Sequence, residues 1–139
     1  MKDTKSGSCL CGQVTFSLAA DPIAVALCHC KQCQKQTSSA FSLVAIVPAG
    51  ALQMHGTLAT FQTRSASGAP VDRSFCAACG SPVRTDSAAT RAQGVTVLKA
   101  GLFDDTTWLK PSMQIFCDSA QHWVPQMPQL ARFAEMPPG

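Results

Sequence analysis

The stretch Asp72-Arg73-Ser74-Phe75-Cys76-Ala77-Ala78-Cys79-Gly80-Ser81-Pro82-Val83-Arg84-Thr85-Asp86, DRSFCAACGSPVRTD in one-letter code, decides how this chain is read. Two strand-like segments, DRSFC and PVRTD, flank a Cys-x-x-Cys-Gly turn. Such a turn presents two sulfurs to one point. The glycine after it tolerates positive φ and frees backbone N–H groups to bond the thiolates. Cys9-Leu10-Cys11-Gly12 offers a second pair, because residues i and i+2 of an extended segment share a face. Cys28-His29-Cys30-Lys31-Gln32-Cys33 adds three thiols within six residues, so seven of the eight cysteines fall in three tight groups.

With their following glycines, Cys9/Cys11 and Cys76/Cys79 resemble the halves of one closed four-cysteine zinc site that ties distant parts of the chain together. Spacing alone does not dictate which Cys-x-Cys pair joins Cys76/Cys79. Thiolates at this density favour zinc or an iron–sulfur cluster over harder metals. A cluster held by Cys28, Cys30, Cys33 and Cys117 is the iron–sulfur alternative. A disulfide framework is the other, since eight is even, but a Cys28–Cys30 bridge would close a small strained ring.

The composition is that of a globular protein: 139 residues, 46% hydrophobic, 14% charged, enough to bury a core without cross-links. A net charge of +3, with no two basic residues adjacent and no interleaved aromatics, argues against nucleic acid. The polar N-terminus MKDTKSGSC lacks the apolar core of a signal peptide, and no apolar run approaches the roughly 20 residues that span a bilayer. The expected location is the cytoplasm, where thiols stay reduced and cysteines read first as metal ligands.

Short strands divided by turns dominate. QVTFSL (13–18) alternates as a half-buried strand, and IAVALCHC (23–30), FSLVAIV (41–47), GVTVLKAG (94–101) and MQIFC (113–117) are further strand candidates. ALQMH (51–55) and LATFQTR (58–64) flank Gly56 as an expected hairpin, and SASGAP (65–70) is a loop. Helix is confined to one or two turns in KQCQKQTSSAF (31–41) and a short terminal helix in QLARFAE (129–135). The expectation is one mainly β domain of short antiparallel strands over 1–139, with a core of about 6–125 and a tail from 126 to 139.

Four segments carry a family resemblance: C-L-C-G-Q-V-T-F (9–16), C-H-C-K-Q-C-Q-K-Q-T (28–37), F-C-A-A-C-G-S-P-V (75–83) and A-G-L-F-D-D (100–105), followed by Pro111 and Trp123. In this order they resemble the glutathione-dependent formaldehyde-activating enzyme family, to which centromere protein V is related. The resemblance implies a β-tent zinc fold with two Zn²⁺ sites. It assigns Cys9, Cys11, Cys76 and Cys79 to a structural zinc, and Cys28, Cys30 and Cys33 to a catalytic one. The implied activity is that of a carbon–sulfur lyase resembling S-(hydroxymethyl)glutathione synthase, with a small thiol, glutathione or similar, and a small aldehyde as partners. A histidine common in the family near position 114 is Gln114 here.

Three thiolates on Zn²⁺ sum to −1, a weaker Lewis acid than zinc on three neutral histidines. Such a site is better suited to accepting a fourth thiolate than to generating hydroxide. A thiol held there as thiolate beside an aldehyde adds to the carbonyl carbon. Lys31, Lys35, Arg73 and Arg84 are candidates to compensate the charge, although solvated surface charge is their ordinary reading. His29, between two ligands, faces away from the metal as a packing or supporting residue. Thr37, Ser38 and Ser39 read as a cap or turn before an oxyanion donor, Asp104-Asp105 as a turn, and Cys117 as a buried small hydrophobe. His55 and His122 have no clustered partner. The competing readings are a non-catalytic zinc-stabilised binding module, and the same zinc chemistry on another thiol or electrophile. The chain is a monomer or homodimer in either case.

Overall fold

The computed structural model describes residues 3–125 and 127–138. Strands β1 (Lys5–Ser8), β2 (Thr15–Leu18) and β3 (Ala24–Cys28) lead into helix α1 (Lys31–Thr37). Then come β4 (Ser42–Pro48), β5 (Leu52–His55), β6 (Leu58–Arg64), β7 (Pro70–Cys76) and β8 (Pro82–Ser87). Helix α2 (Ala88–Ala92) precedes β9 (Val95–Lys99), β10 (Met113–Ile115) and β11 (Ala131–Arg132). The protein is mainly β, with two sheets: a three-stranded one ordered β1-β2-β5 and an eight-stranded one ordered β11-β10-β3-β4-β9-β8-β7-β6. Among the described residues no helix is long and apolar enough to cross a membrane.

The alternation in QVTFSL has its expected meaning: Val14, Phe16 and Leu18 are buried. They pack against Val25, Ala45, Val47 and Leu98 of the large sheet, which makes the core between the two sheets. Phe103 stands edge-on to Phe16, with ring centroids 5.3 Å apart, and Trp108 stands edge-on to Phe103 at 4.9 Å. A second apolar cluster, Ala26, Cys28, Val44 and Ile115 with Cys33 of α1, covers the opposite face of the large sheet. Central strands β3 and β4 are thus covered on both sides, which is why they read as continuous apolar runs.

Four local expectations are revised. Gly56 does not turn a hairpin: β5 pairs with β2 and β6 with β7, so the chain changes sheets there. Its φ is +110°, and a Cβ would meet the Gln13 carbonyl and Val14 backbone, a passage open to glycine alone. QLARFAE forms no helix. Its backbone pairs with the β10 segment (Phe133 N to Gln114 O, Cys117 N to Phe133 O, both 3.0 Å), and Phe133 packs on the second cluster. This edge is also where antiparallel pairing ends, since β10 runs parallel to both β3 and β11. Helix α2 was not foreseen; a reciprocal Ser87–Thr90 capping box starts it, with threonine where glutamate is the usual signal.

Gly7 sits where β1 crosses the core, and a Cβ there would collide with the Leu102 carbonyl and the Phe16 ring. Gly7→Ala is expected to cost about 1–3 kcal/mol by overpacking. The check is a lowered urea midpoint at unchanged slope; an unshifted midpoint would mean that β1 is free to move off Phe16.

Candidate metal centres

Two turns build the first group. Between β1 and β2, Gly12 N donates to Cys9 O at 3.1 Å, and Gly12 has a φ of +83°. Between β7 and β8, Gly80 N donates to Cys76 O at 2.9 Å, with a φ of +79°. Both glycines thus hold the left-handed conformation that the sequence calls for. The turned backbone aims N–H groups at sulfur: Val14 N and Ala78 N lie 3.3 Å from Cys9 Sγ and Cys76 Sγ, and Gln13 N lies 3.5 Å from Cys11 Sγ.

The sulfurs of Cys9, Cys11, Cys76 and Cys79 all lie within 4.8 Å of one another. Cys9–Cys11 and Cys11–Cys76 are 3.7 and 3.8 Å apart. Tetrahedral zinc with Zn–S of about 2.3 Å requires sulfurs about 3.8 Å apart, so the donor set fits such an ion. Ser81, through its hydroxyl and N–H, pulls Cys79 down to about 5. Although the Gln13 N–H favours its thiolate, Cys11 is pushed up to about 11 by burial and the neighbouring sulfurs. Four thiolates at this range need a cation between them.

The second group spans a strand end and a helix start. Cys28 closes β3, and Cys30 caps α1, its Sγ accepting from Cys33 N at 3.3 Å. Cys33 then returns on the first helical turn. The three sulfurs lie within 4.8 Å, with Cys28 and Cys33 buried and Cys30 half-buried. Gln34 anchors the helix by donating to His29 O at 2.7 Å and Ser119 O at 2.9 Å. Cys33 is held low, first by the adjacent Cys28 and Cys30 thiols and then by the charges of Lys99 and Arg73. Cys30 and Cys33 push Cys28 up. Among the described residues no fourth ligand joins this set, Cys117 included.

Two buried cations face these thiols. Arg73 leaves its own strand to reach α1: Nη1 is 3.9 Å from Cys33 Sγ and 2.8 Å from Gln36 Oε1, and Nη2 is 3.0 Å from Gln32 Oε1. Lys99 Nζ donates to Ser42 Oγ at 2.8 Å, and Ser42 is the β4 partner of Cys28. Burial pulls Lys99 below its ordinary value, while Cys33, Cys28 and Cys30 act the other way. Arg73 therefore serves the three-thiol set rather than the cluster it adjoins in sequence. Lys99 escaped the sequence reading; its signal was a lone charge inside the apolar run GVTVLKAG.

The other candidates lie elsewhere. Arg84 pairs with Asp86 at 2.9 Å, and Lys31 and Lys35 are exposed on α1. His29 is fully buried, its Nε2 3.0 Å from Gln114 Oε1, so it supports the strand pair and does not ligate with the thiols. Thr37 Oγ1 donates back to Cys33 O at 2.7 Å, and Ser38 takes the left-handed conformation that ends α1. Asp105 Oδ1 accepts from Thr107 N at 2.9 Å, the turn expected of it. A groove of about 600 Å³ runs over α1 between Lys31, Gln34, Lys35, Ser38, Ser39 and Gln121; it flanks the sulfurs without including them.

These positions separate ligands from bystanders in one experiment. Cys76→Ser is expected to lose one of two metal equivalents by elemental mass spectrometry and to unfold at lower urea. Cys117→Ser is expected to keep both equivalents; losing one would place Cys117 in a ligand set.

A solved Rhodobacter sphaeroides protein has a similar fold, with a TM-score of 0.55 and 17% identity over 76% of this chain and 91% of that one. No curated protein matches the chain in sequence. A sequence model of the glutathione-dependent formaldehyde-activating enzyme family matches residues 4–119, a span that contains all seven clustered cysteines and both buried cations. The chain belongs to the glutathione-dependent formaldehyde-activating enzyme family.

Proposed function

We propose that this protein is a zinc-dependent enzyme that joins a small thiol, glutathione or a close analogue, to a small aldehyde such as formaldehyde, or catalyses the reverse cleavage. The observation that carries the reading is the three-sulfur set of Cys28, Cys30 and Cys33, gathered within 4.8 Å with no fourth ligand among the described residues. Zinc held there supplies one further position for a substrate sulfur and favours that sulfur as thiolate at neutral pH. Cys9, Cys11, Cys76 and Cys79 hold the second, structural zinc in this reading.

The chain's own part is positioning. Strand pairing fixes Cys28, the helix cap fixes Cys30, and the first turn of α1 fixes Cys33, so the donors require little rearrangement on binding. Half-buried Cys30 marks the accessible side of the set. The groove over α1, with Lys31 and Lys35 on its walls, suits the carboxylates of a peptide thiol. In the forward direction a carbon–sulfur bond forms as the carbonyl π bond opens. The thiol proton leaves to solvent, and a solvent proton ends on the new hydroxyl.

Titrating glutathione into the zinc-loaded protein tests the reading. Saturable heat is expected from wild type and none from Cys30→Ser. Exchange spectroscopy with isotope-labelled formaldehyde should show faster hemithioacetal turnover only with wild type. Absence of glutathione binding by the fully zinc-loaded protein would overturn the glutathione version.

A further inference from the structure

We infer that Arg73 and Lys99 are positioning residues that make the three-thiol site select an anionic fourth ligand, a thiolate, over a neutral one. The inference rests on the zinc–thiol reading above and adds what sets the charge of the partner. Zinc and three thiolates sum to −1. Arg73 and Lys99 bring +2 to the same face of the large sheet and are 8% and 6% exposed. One positive charge is then left over, and a thiolate in the fourth position removes it. A neutral ligand leaves it in place.

The geometry holds both cations there. Gln36 and Gln32 fix the Arg73 guanidinium, as does Thr63 Oγ1, 3.2 Å from Nε, leaving Nη1 against Cys33 Sγ. Ser42 fixes Lys99, and through the β3–β4 register Ser42 lies beside Cys28. Neither cation has a carboxylate partner among the described residues. The buried acid Asp86 bonds instead to Arg84 and Thr96, whose alternation puts them on the opposite face. Zinc and the three thiolates would offset only one of the two buried cations, and leaving the other without a counter-charge is costly, so the site suits an anion that the protein does not itself supply.

The test is a comparison of two ligands on the zinc-loaded full chain, glutathione as the anionic one and imidazole as the neutral one, by calorimetry. Lys99→Met, nearly isosteric, and Arg73→Met are each expected to weaken glutathione by about tenfold or more while leaving imidazole unchanged or tighter. Arg73→Lys, which keeps the charge, is expected to recover most of the thiol affinity. Two metal equivalents and an unchanged circular-dichroism spectrum establish that a variant is folded, and Lys99→Met carries the test alone where Arg73→Met loses metal. Equal losses for both ligands, or no loss for glutathione, overturn the inference while the zinc–thiol reading stands. A wild-type protein that binds no thiol overturns that reading and the inference with it.

Discussion

The meeting of the β1–β2 turn with the β7–β8 turn is the constraint on which the rest of the structure depends. Cys9 and Cys11 from one, and Cys76 and Cys79 from the other, bring their sulfurs together. Once those turns touch, the three-stranded sheet lies across one face of the eight-stranded sheet, and Val14, Phe16 and Leu18 have one place to go. The opposite face is then left for α1 and the second set of thiols. The first cluster thus decides which side of the large sheet carries the second.

The strand β3 turns this division into a site. Alternation sends Cys28 to one face, while the next residue, His29, goes to the other and packs against Gln114 and Phe41. The thiols consequently sit in an apolar wall of Ala26, Val44 and Ile115, with Phe116 and Phe133 closing over it. In such surroundings fixed charges act strongly, because little water screens them. Placing Arg73 and Lys99 there gives two side chains from different strands a common effect on three sulfurs.

Much of this was legible from the sequence because the cysteine pairs and the triad are each local, although spacing left open which pairs join. Cys76-x-x-Cys79-Gly80 and Cys9-x-Cys11-Gly12 announce their turns, and QVTFSL announces its buried face. The partnership of strands was not legible. LQMH and LATFQTR are neighbours in sequence but belong to different sheets, a decision made by the close approach of Gly56 to the Gln13 and Val14 backbone. QLARFAE has helical periodicity, yet pairing with β10 and burial of Phe133 outweigh that weak preference. Arg73 shows the limit most clearly. It lies three residues from Cys76, while its guanidinium reaches Cys33, 40 residues away in the chain.

The two sulfur sets also differ in how far apart their ligands lie along the chain. Cys28, Cys30 and Cys33 are already neighbours in an unfolded polypeptide, whereas Cys11 and Cys76 are 65 residues apart and meet only when the sheets assemble. Closing the longer loop costs about 2 kcal/mol more in chain entropy than closing the short one. An ion at the local set has affinity for the unfolded chain too, so part of its binding free energy cancels in the folding equilibrium. An ion at the distant set has almost no counterpart in the unfolded chain, and nearly all its binding free energy becomes stability of the fold. The thermodynamic linkage therefore differs between the two sets: loss of an ion from the distant set would cost the fold more stability than loss of one from the local set.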